Sequence, residues 1–482
     1  MLSRPRTEAF IGGRWTAARG DARFPVYDPA TDELVALVAD CGAEETTAAV
    51  DVAAAALPEW RALTGRERAH FVRALGERMR AEQERLARLM TLEQGKPLSE
   101  ARDEVRYAAD FFEWSAVEGQ RINGELLAAS TNSKRMLVLR QPVGVTAAIT
   151  PWNFPLAMIA RKLGPALSSG CVQVVKPAEQ TPLCALALAE LAEEVGLPAG
   201  VFSVITARDP VPIGEALTRD VRVRKLSFTG STEVGRHLMH LAAGNIMRIS
   251  LELGGHAPVL VFDDADLEIA ARGVIASKFR NAGQTCISAN RVYCQAGIYD
   301  AFVSSLVEQM GALRLGNGAD EGVHMGPLID DAAVGRVEAH VADARARGAR
   351  VRACGDVATA PGTCLRLYAP TLLEDLQPEM LVMQEETFGP VLPVLAFRDE
   401  VDAIKRANDT PYGLAAYFFT RDASRIWRVA EALEYGIIGV NDGAPSAAQA
   451  PFGGYKQSGL GREGGRYAFD EYLETKYVSW GL

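Results

Sequence analysis

The sequence has no CxxC pair, no HExxH and no GxxxxGK[ST]. Its seven cysteines, Cys41, Cys171, Cys184, Cys286, Cys294, Cys354 and Cys364, are odd in number and widely spaced. That argues against a disulfide framework and against a structural zinc site. The first residues, MLSRPRTEAFIGGRW, lack the apolar run of a secretion signal. The longest weakly polar stretch, Ala147–Ala160, is too short to span a bilayer and contains Asn153, Pro151 and Pro155. A soluble, cytoplasmic, membrane-free setting is therefore expected. Basic charge is also short: 51 Lys and Arg face 61 Asp and Glu, a net charge of −10. A dedicated nucleic-acid surface would show a basic stripe instead. The brief run Arg222–Lys225 reads as the solvated end of an element. His237 and His240 stand three apart on one helix, with no carboxylate or cysteine nearby to complete a ligand set, so no metal is expected.

What is present is a chain of 482 residues, enough for about three domains and a sizeable core. Ala43 to about Gly119 has helical periodicity, with Leu75, Met79, Leu86, Leu89 and Met90 at three- and four-residue steps. Gly95-Lys96-Pro97 punctuates it. INGELLAAS and KRMLVLRQP, within Arg121–Arg140, read as a two-stranded ribbon that must pack on something else. From Val143 onward, short apolar runs end in special loops and are followed by helices. Val143–Ile149 leads to TPWNFP, Val172–Val175 to KPAEQTP, and Lys225–Phe228 to TGSTEVG, with Val201–Ile205 between the last two. Such alternation means a parallel sheet with helices on its faces. Ligands then bind outside the carboxyl ends of the strands. A second α/β stretch begins near Leu251. Cys354–Thr363 reads as a surface loop, and Tyr472–Val478 as a last strand that pairs with an edge.

Several residues in those loops suit chemistry. Cys286, in Gly283-Gln284-Thr285-Cys286, follows a helix-to-loop change that would leave a thiol accessible. The other six cysteines suit buried structural roles. Glu252, among apolar neighbours before two glycines, is either a salt-bridged loop residue or a desolvated general base. Asn153 is either a turn residue or a fixed amide donor for a developing oxyanion. Lys176 and Glu179 follow a buried strand, where Glu179 could accept both hydroxyls of an adenosine ribose and repel a 2′-phosphate. Gly230-Ser231-Thr232-Glu233-Val234-Gly235 opens a helix whose amides could receive a pyrophosphate.

Taken in order, PWNFP, KPAEQTP, FTGSTEVG, LELGG, GQTC, EETFGP and PFGGYKQSGLGRE resemble the aldehyde dehydrogenase superfamily over nearly the whole chain. The resemblance implies an α/β fold with a dinucleotide-binding domain (1–120 and 142–251) and a catalytic domain (252–457). A small β oligomerisation ribbon with a C-terminal strand (121–141 and 458–482) completes it. A homodimer or homotetramer follows. Cys286 would be the nucleophile, and Asn153 with the Cys286 N–H would hold the oxyanion. Glu252 would activate water on a thioester, and Glu463 matches a second glutamate used for proton relay. The cofactor, NAD in preference to NADP, would run along Ile149, Thr150, Pro151, Trp152, Lys176, Glu179, Gly214, Gly230, Ser231, Val234 and Leu253. Glu386 and Phe388 would hold its nicotinamide end.

Within the superfamily, FRNAGQTC, VFDDADLE, ANDTPYGLAAYFF and GREGGRYAFDEYLETKY are most similar to succinate-semialdehyde dehydrogenases. Substrate recognition there implies Arg161, Arg280 and Ser446. A distal carboxylate suits charge-assisted arginine contacts, although both arginines would also serve as structural ion-pair residues. Two departures stand out. Ser288 occupies the position where some relatives carry a second cysteine, so no regulatory disulfide is expected. Ala444 and Pro445 replace the larger residues usual before the serine, which leaves glutarate semialdehyde, or a neutral or aromatic aldehyde, as alternatives. A non-catalytic binding protein on the same fold is the alternative from a different class.

Overall fold

The computed structural model describes residues 5–357 and 364–482. The predicted helical region forms four helices, Ala43–Ala62, Gly65–Ala81, Gln83–Gln94 and Leu98–Glu118. Thr64 and Glu67 close the second with a reciprocal capping box. Gly95, at φ 89°, ends the third in the left-handed conformation that glycine adopts without strain. Leu75, Met79, Leu86, Leu89 and Met90 are all buried, as their spacing requires.

The helices flank an eight-stranded sheet. Its five central strands are parallel, in the order Phe202–Val204, Val172–Lys176, Val145–Ile149, Val223–Thr229 and Arg248–Glu252. These strands are covered on both faces and so read as apolar runs rather than alternations. Short antiparallel strands close both edges, Ala9–Ile11 on one side and Gly459–Leu460 on the other. Register brings Ile149, Lys176, Thr229 and Glu252 to one sheet end. The basic run Arg222–Lys225 is not solvated as a whole. Lys225 lies inside the Val223–Thr229 strand, fully buried, with Nζ 2.6 Å from Ser250 Oγ. A strand alternates its faces, so only Arg222 and Arg224 of that run reach solvent.

A seven-stranded sheet forms the second unit. It centres on Val391–Phe397, Ala289–Gln295, Ala257–Val261 and Ala415–Phe419, which are parallel. Each sheet has its own apolar core, one drawn almost wholly from residues 9–253 and the other from 257–452. The ribbon is three-stranded: Glu125–Leu127 and Lys134–Pro142 are joined by Leu473–Gly481, all antiparallel. It exposes Leu126, Tyr477 and Trp480. Of the expected surface loop Cys354–Thr363, Asp356–Val357 pair with Arg314–Leu315, and residues 358–363 lie outside the described residues. Cys41, Cys171, Cys184 and Cys294 are buried, but Cys354 and Cys364 are only half-buried. Cys354 lies just beyond the edge strand Arg350–Ala353 of the second sheet, where less of the chain packs over it.

Candidate active site

The first cleft lies at the carboxyl ends of the central strands. Thr150 donates its N–H to the Lys176 carbonyl at 3.1 Å, joining two of the special loops. Lys176 is buried, and its Nζ sits 3.0 Å from the Pro177 carbonyl and 3.2 Å from Glu179 Oε2. Glu179 itself is partly exposed. The Val223–Thr229 strand runs into the helix Thr232–Ala243, whose first turn is capped by Ser231 Oγ accepting the Val234 N–H at 3.3 Å. That leaves backbone N–H groups facing the cleft, where the helix dipole favours an anion. Val234 is exposed beside them. Gly235 lets the helix approach the sheet, since a Cβ there would meet Leu253 at 2.5 Å. Gly214 lies opposite, in the helix Val211–Arg219.

These residues fit a nicotinamide dinucleotide. The Glu179 carboxylate, a helix start capped by Ser231 and a buried Thr150 Oγ1 with no hydrogen-bond partner among the described residues all follow carboxyl ends of the parallel strands, where they could receive a ribose and a pyrophosphate. Glu386 accepts the Gly255 N–H at 3.1 Å, and burial raises its carboxyl to about 7. Gly254 makes room there, because a Cβ would come within 2.8 Å of Glu386 Oε2. Phe388, at φ 54°, stands edge-on to Trp152 with ring centroids 5.6 Å apart.

Cys286 follows a rare turn. Asn281, Ala282 and Gly283 are all left-handed, at φ 52°, 55° and 77°. A residue other than glycine holds such a conformation only where its surroundings over-determine it. The Asn281 side chain supplies part of that hold, donating to the Asn153 carbonyl at 3.0 Å and accepting from Gln94 at 2.9 Å. Asn153 is buried, and its Nδ2 donates to the Gln284 carbonyl at 3.1 Å, two residues before the sulfur. That bond uses one of the two amide hydrogens and leaves the other for a ligand. Burial pushes the Cys286 thiol up to about 12, with the Arg161 cation opposing the shift.

Glu252 ends its strand fully buried, with neither oxygen hydrogen-bonded. Gly453 lies against it, where a Cβ would reach Glu252 Oε1 at 2.9 Å. Burial and the neighbouring Glu463 both hold the Glu252 carboxyl well above the usual range. Glu463 has the opposite bias. Burial pushes it up, but Lys162 and Arg161 outweigh that and hold it low. Lys162 is ion-paired with Glu463 and lies 2.6 Å from Thr229 Oγ1, and Arg161 Nε lies 3.1 Å from Glu463 Oε2. Leaving such a charge unpaired would cost about 3–5 kcal/mol, so the three hold one another in place.

The Cys286 sulfur opens on a cavity of about 250 Å³. Arg161, Arg280, Ser446, Ala444 and Phe452 line it, with Glu100 and Asp103. Arg161 is sandwiched between Phe452 at 3.9 Å and Phe111 at 5.3 Å, so it is both an ion-pair residue and a cavity wall. Arg280 has no carboxylate within ion-pair distance among the described residues, and its guanidinium lies 5.1 Å from the Phe154 ring. Glu100 accepts the Asn281 N–H at 2.8 Å and feels the Arg280 cation without closing to an ion pair, and Asp103 pairs with Arg106. The structure thus brings Cys286, Arg161, Arg280 and Ser446 to one cavity, with Asn153 tied to the Cys286 loop. Sequence reasoning missed Lys162, Lys96 and Glu104. For Lys162 the visible signal was charge inside an otherwise apolar helix, AMIARKLGPALSS.

Residues 15–478 match the model of the aldehyde dehydrogenase family. The chain is 55% identical to the succinate-semialdehyde dehydrogenase [NADP(+)] of Escherichia coli, covering 99% of this chain and 98% of that one. It is 52% identical to a glutarate-semialdehyde dehydrogenase of Pseudomonas aeruginosa, over 99% and 98%. A crystal structure of succinate-semialdehyde dehydrogenase from Burkholderia pseudomallei superposes with a TM-score of 0.97 at 50% identity, covering 100% and 99%. A family match over nearly the whole chain and relatives at about 50% identity along their full length show that the chain belongs to the aldehyde dehydrogenase family.

Proposed function

We propose that this enzyme oxidises a small aldehyde bearing a distal carboxylate, succinate semialdehyde first, to the corresponding dicarboxylate. The observation that carries the substrate reading is Arg280, a cation in the wall of the Cys286 cavity with no carboxylate within ion-pair distance among the described residues, and Ser446 lines the same space. A carboxylate on the substrate would supply that partner through a charge-assisted hydrogen bond. The names of the relatives support it.

The chemistry divides among named groups. Cys286 loses its thiol proton to solvent through the open cavity, and Sγ adds to the aldehyde carbon, giving a thiohemiacetal whose oxyanion is held by the Asn153 amide and the Cys286 N–H. A nicotinamide dinucleotide, when bound, supplies the hydride acceptor that leaves a thioester on the sulfur. Glu252 takes a proton from water, which attacks the thioester and releases the acid. Glu463, Lys162 and Arg161 form the buried polar path beside Glu252 and would carry that proton away. Glu386 and Phe388 hold the nicotinamide end. The 1–120 and 142–251 segments, on this reading, bind the dinucleotide, 252–457 supply the cysteine, and the ribbon joins subunits in a homodimer or homotetramer. Exposed Leu126, Tyr477 and Trp480 support that last role. Seven free cysteines suit a reducing, cytoplasmic setting.

An aldehyde panel with both dinucleotides tests the reading. Succinate semialdehyde should give the highest kcat/KM, and neutral aldehydes far lower values. Higher kcat/KM for neutral aldehydes would overturn the substrate assignment. Glutarate semialdehyde is the second reading, favoured by Ala444, whose small side chain leaves room for one more methylene. Arg280→Leu should lower kcat/KM for succinate semialdehyde by about 10- to 100-fold, the weight of a hydrogen bond to a charged group, and leave a short neutral aldehyde unchanged. An equal loss on both would show that Arg280 is structural.

Cofactor choice rests on Glu179. A 2′-phosphate placed by the ribose would meet its carboxylate, and the nearby Lys176 already answers that carboxylate at 3.2 Å. NAD should therefore be preferred, although the Escherichia coli relative is named for NADP(+). Glu179→Ser should raise kcat/KM for NADP by about 10-fold or more by removing the like-charge contact. A wild-type preference for NADP would overturn this assignment.

A further inference from the structure

The Gly95-Lys96-Pro97 punctuation carries a buried charge. Lys96 is 1% exposed, and its Nζ lies 2.6 Å from Glu104 Oε2. The same ammonium donates to the Asn153 main-chain carbonyl at 2.7 Å and sits 4.0 Å from the centre of the Phe154 ring. The other oxygen of Glu104 accepts the N–H groups of Leu156 and Ala157, at 3.0 and 3.2 Å. One ion pair thus grips the Asn153–Ala157 loop at both ends: its carbonyl through Lys96, and its first helical amides through Glu104.

The grip reaches the reacting centre. The Asn153 carbonyl receives Asn281 Nδ2 as well as Lys96, and the Asn153 amide contacts the chain two residues before Cys286. The Lys96 segment is itself wedged against the second unit. Leu98 donates to the Gly318 carbonyl at 2.9 Å, and any Cβ on Gly318 or Gly326 would strike the Gly95 or Lys96 carbonyls. A buried ion pair contributes little stability over neutral groups of the same shape. Its value lies in geometry, and a donor aimed at an oxyanion is sensitive to displacement of about 1 Å.

We propose that Lys96 and Glu104 are positioning residues that hold the Asn153 amide at the oxyanion site, so that the rate of chemistry at Cys286 depends on a buried salt bridge in the cavity wall that supplies no group to the reacting atoms. This rests on the reading of Asn153 as the oxyanion donor. The test uses the full-length enzyme carrying Lys96→Met with Glu104→Gln, which removes both charges and leaves neither stranded, in wild-type and Asn153→Ala backgrounds. In the wild-type background kcat should fall about 10- to 100-fold, with the KM for NAD and the Tm little changed. In the Asn153→Ala background the same pair should cost less than about twofold, because coupled residues do not add. Alkylation of Cys286 by iodoacetamide, which forms no oxyanion, should keep its wild-type rate. Glu104→Gln alone, which keeps the acceptor for Leu156 and Ala157, should give a smaller kcat loss and serves if the double variant does not fold. Equal losses in both backgrounds, or alkylation slowed in step with kcat, would overturn the proposal and leave Asn153 in its role. No loss of kcat on Asn153→Ala alone would instead overturn the oxyanion reading, and this proposal with it.

Discussion

Cys286→Ala should lower kcat for aldehyde oxidation on the order of 10^6-fold, the scale seen when a covalent nucleophile is removed outright. The carbonyl carbon of an aldehyde gives up hydride readily only after a nucleophile has added to it. Cys286 is the sole cysteine lining the cavity among the described residues. Dinucleotide binding should persist, because the groove that fits it lies on the other sheet, around Lys176, Glu179 and Ser231. Steady-state turnover with a parallel measurement of NAD binding checks both halves. Cys354→Ala and Cys364→Ala should keep the wild-type rate, although those thiols are also half-buried. Turnover surviving in Cys286→Ala would sink the thiohemiacetal mechanism.

Glu252→Gln should split the reaction in two. Thiohemiacetal formation and oxidation do not need water, so one equivalent of reduced cofactor per site should appear in a rapid burst. The thioester then lacks its base, and steady-state kcat should fall about 10^2- to 10^4-fold. Rapid mixing reads the burst, and denaturing mass spectrometry reads the acyl group on Cys286. The pH dependence has a definite direction. Burial and Glu463 hold the Glu252 carboxyl well above its usual range, so it gives up its proton at a higher pH than an ordinary glutamate. Only the carboxylate accepts a proton from water. Wild-type kcat should therefore climb as pH rises above the ordinary glutamate range, and the Gln variant should lose that limb. A Gln variant with wild-type kcat would remove Glu252 from the mechanism.

Much of this enzyme was legible in the chain itself. Helical spacing at Leu75, Met79 and Leu86 placed buried faces correctly. The apolar runs at Val143–Ile149 and Val172–Val175 announced parallel strands with helices on their faces, and the loops behind them announced the cleft. These signals are local: a periodicity of three to four residues, or a glycine at a turn, acts within a few positions of the chain. Cys286, Glu252 and Asn153 were likewise singled out by immediate neighbours of unusual polarity.

What sequence alone misplaced or left open was charge in the interior. Arg222–Lys225 looked solvated, yet Lys225 is buried beside Ser250. Arg161 was open between substrate binding and ion pairing, and Glu463, three hundred residues on, gives it an ion-pair partner within the cavity wall. Lys96 looked like part of a turn, and only the packing of two helices on the Asn153 loop shows what it holds. The free energy of a buried charge is set by which group stands within a few ångströms, not by its neighbours in the chain. The sequence by itself determined the family, the layered α/β order and the chemical groups. The tertiary structure decided how those charges are paired, because that depends on contacts between segments far apart in the chain.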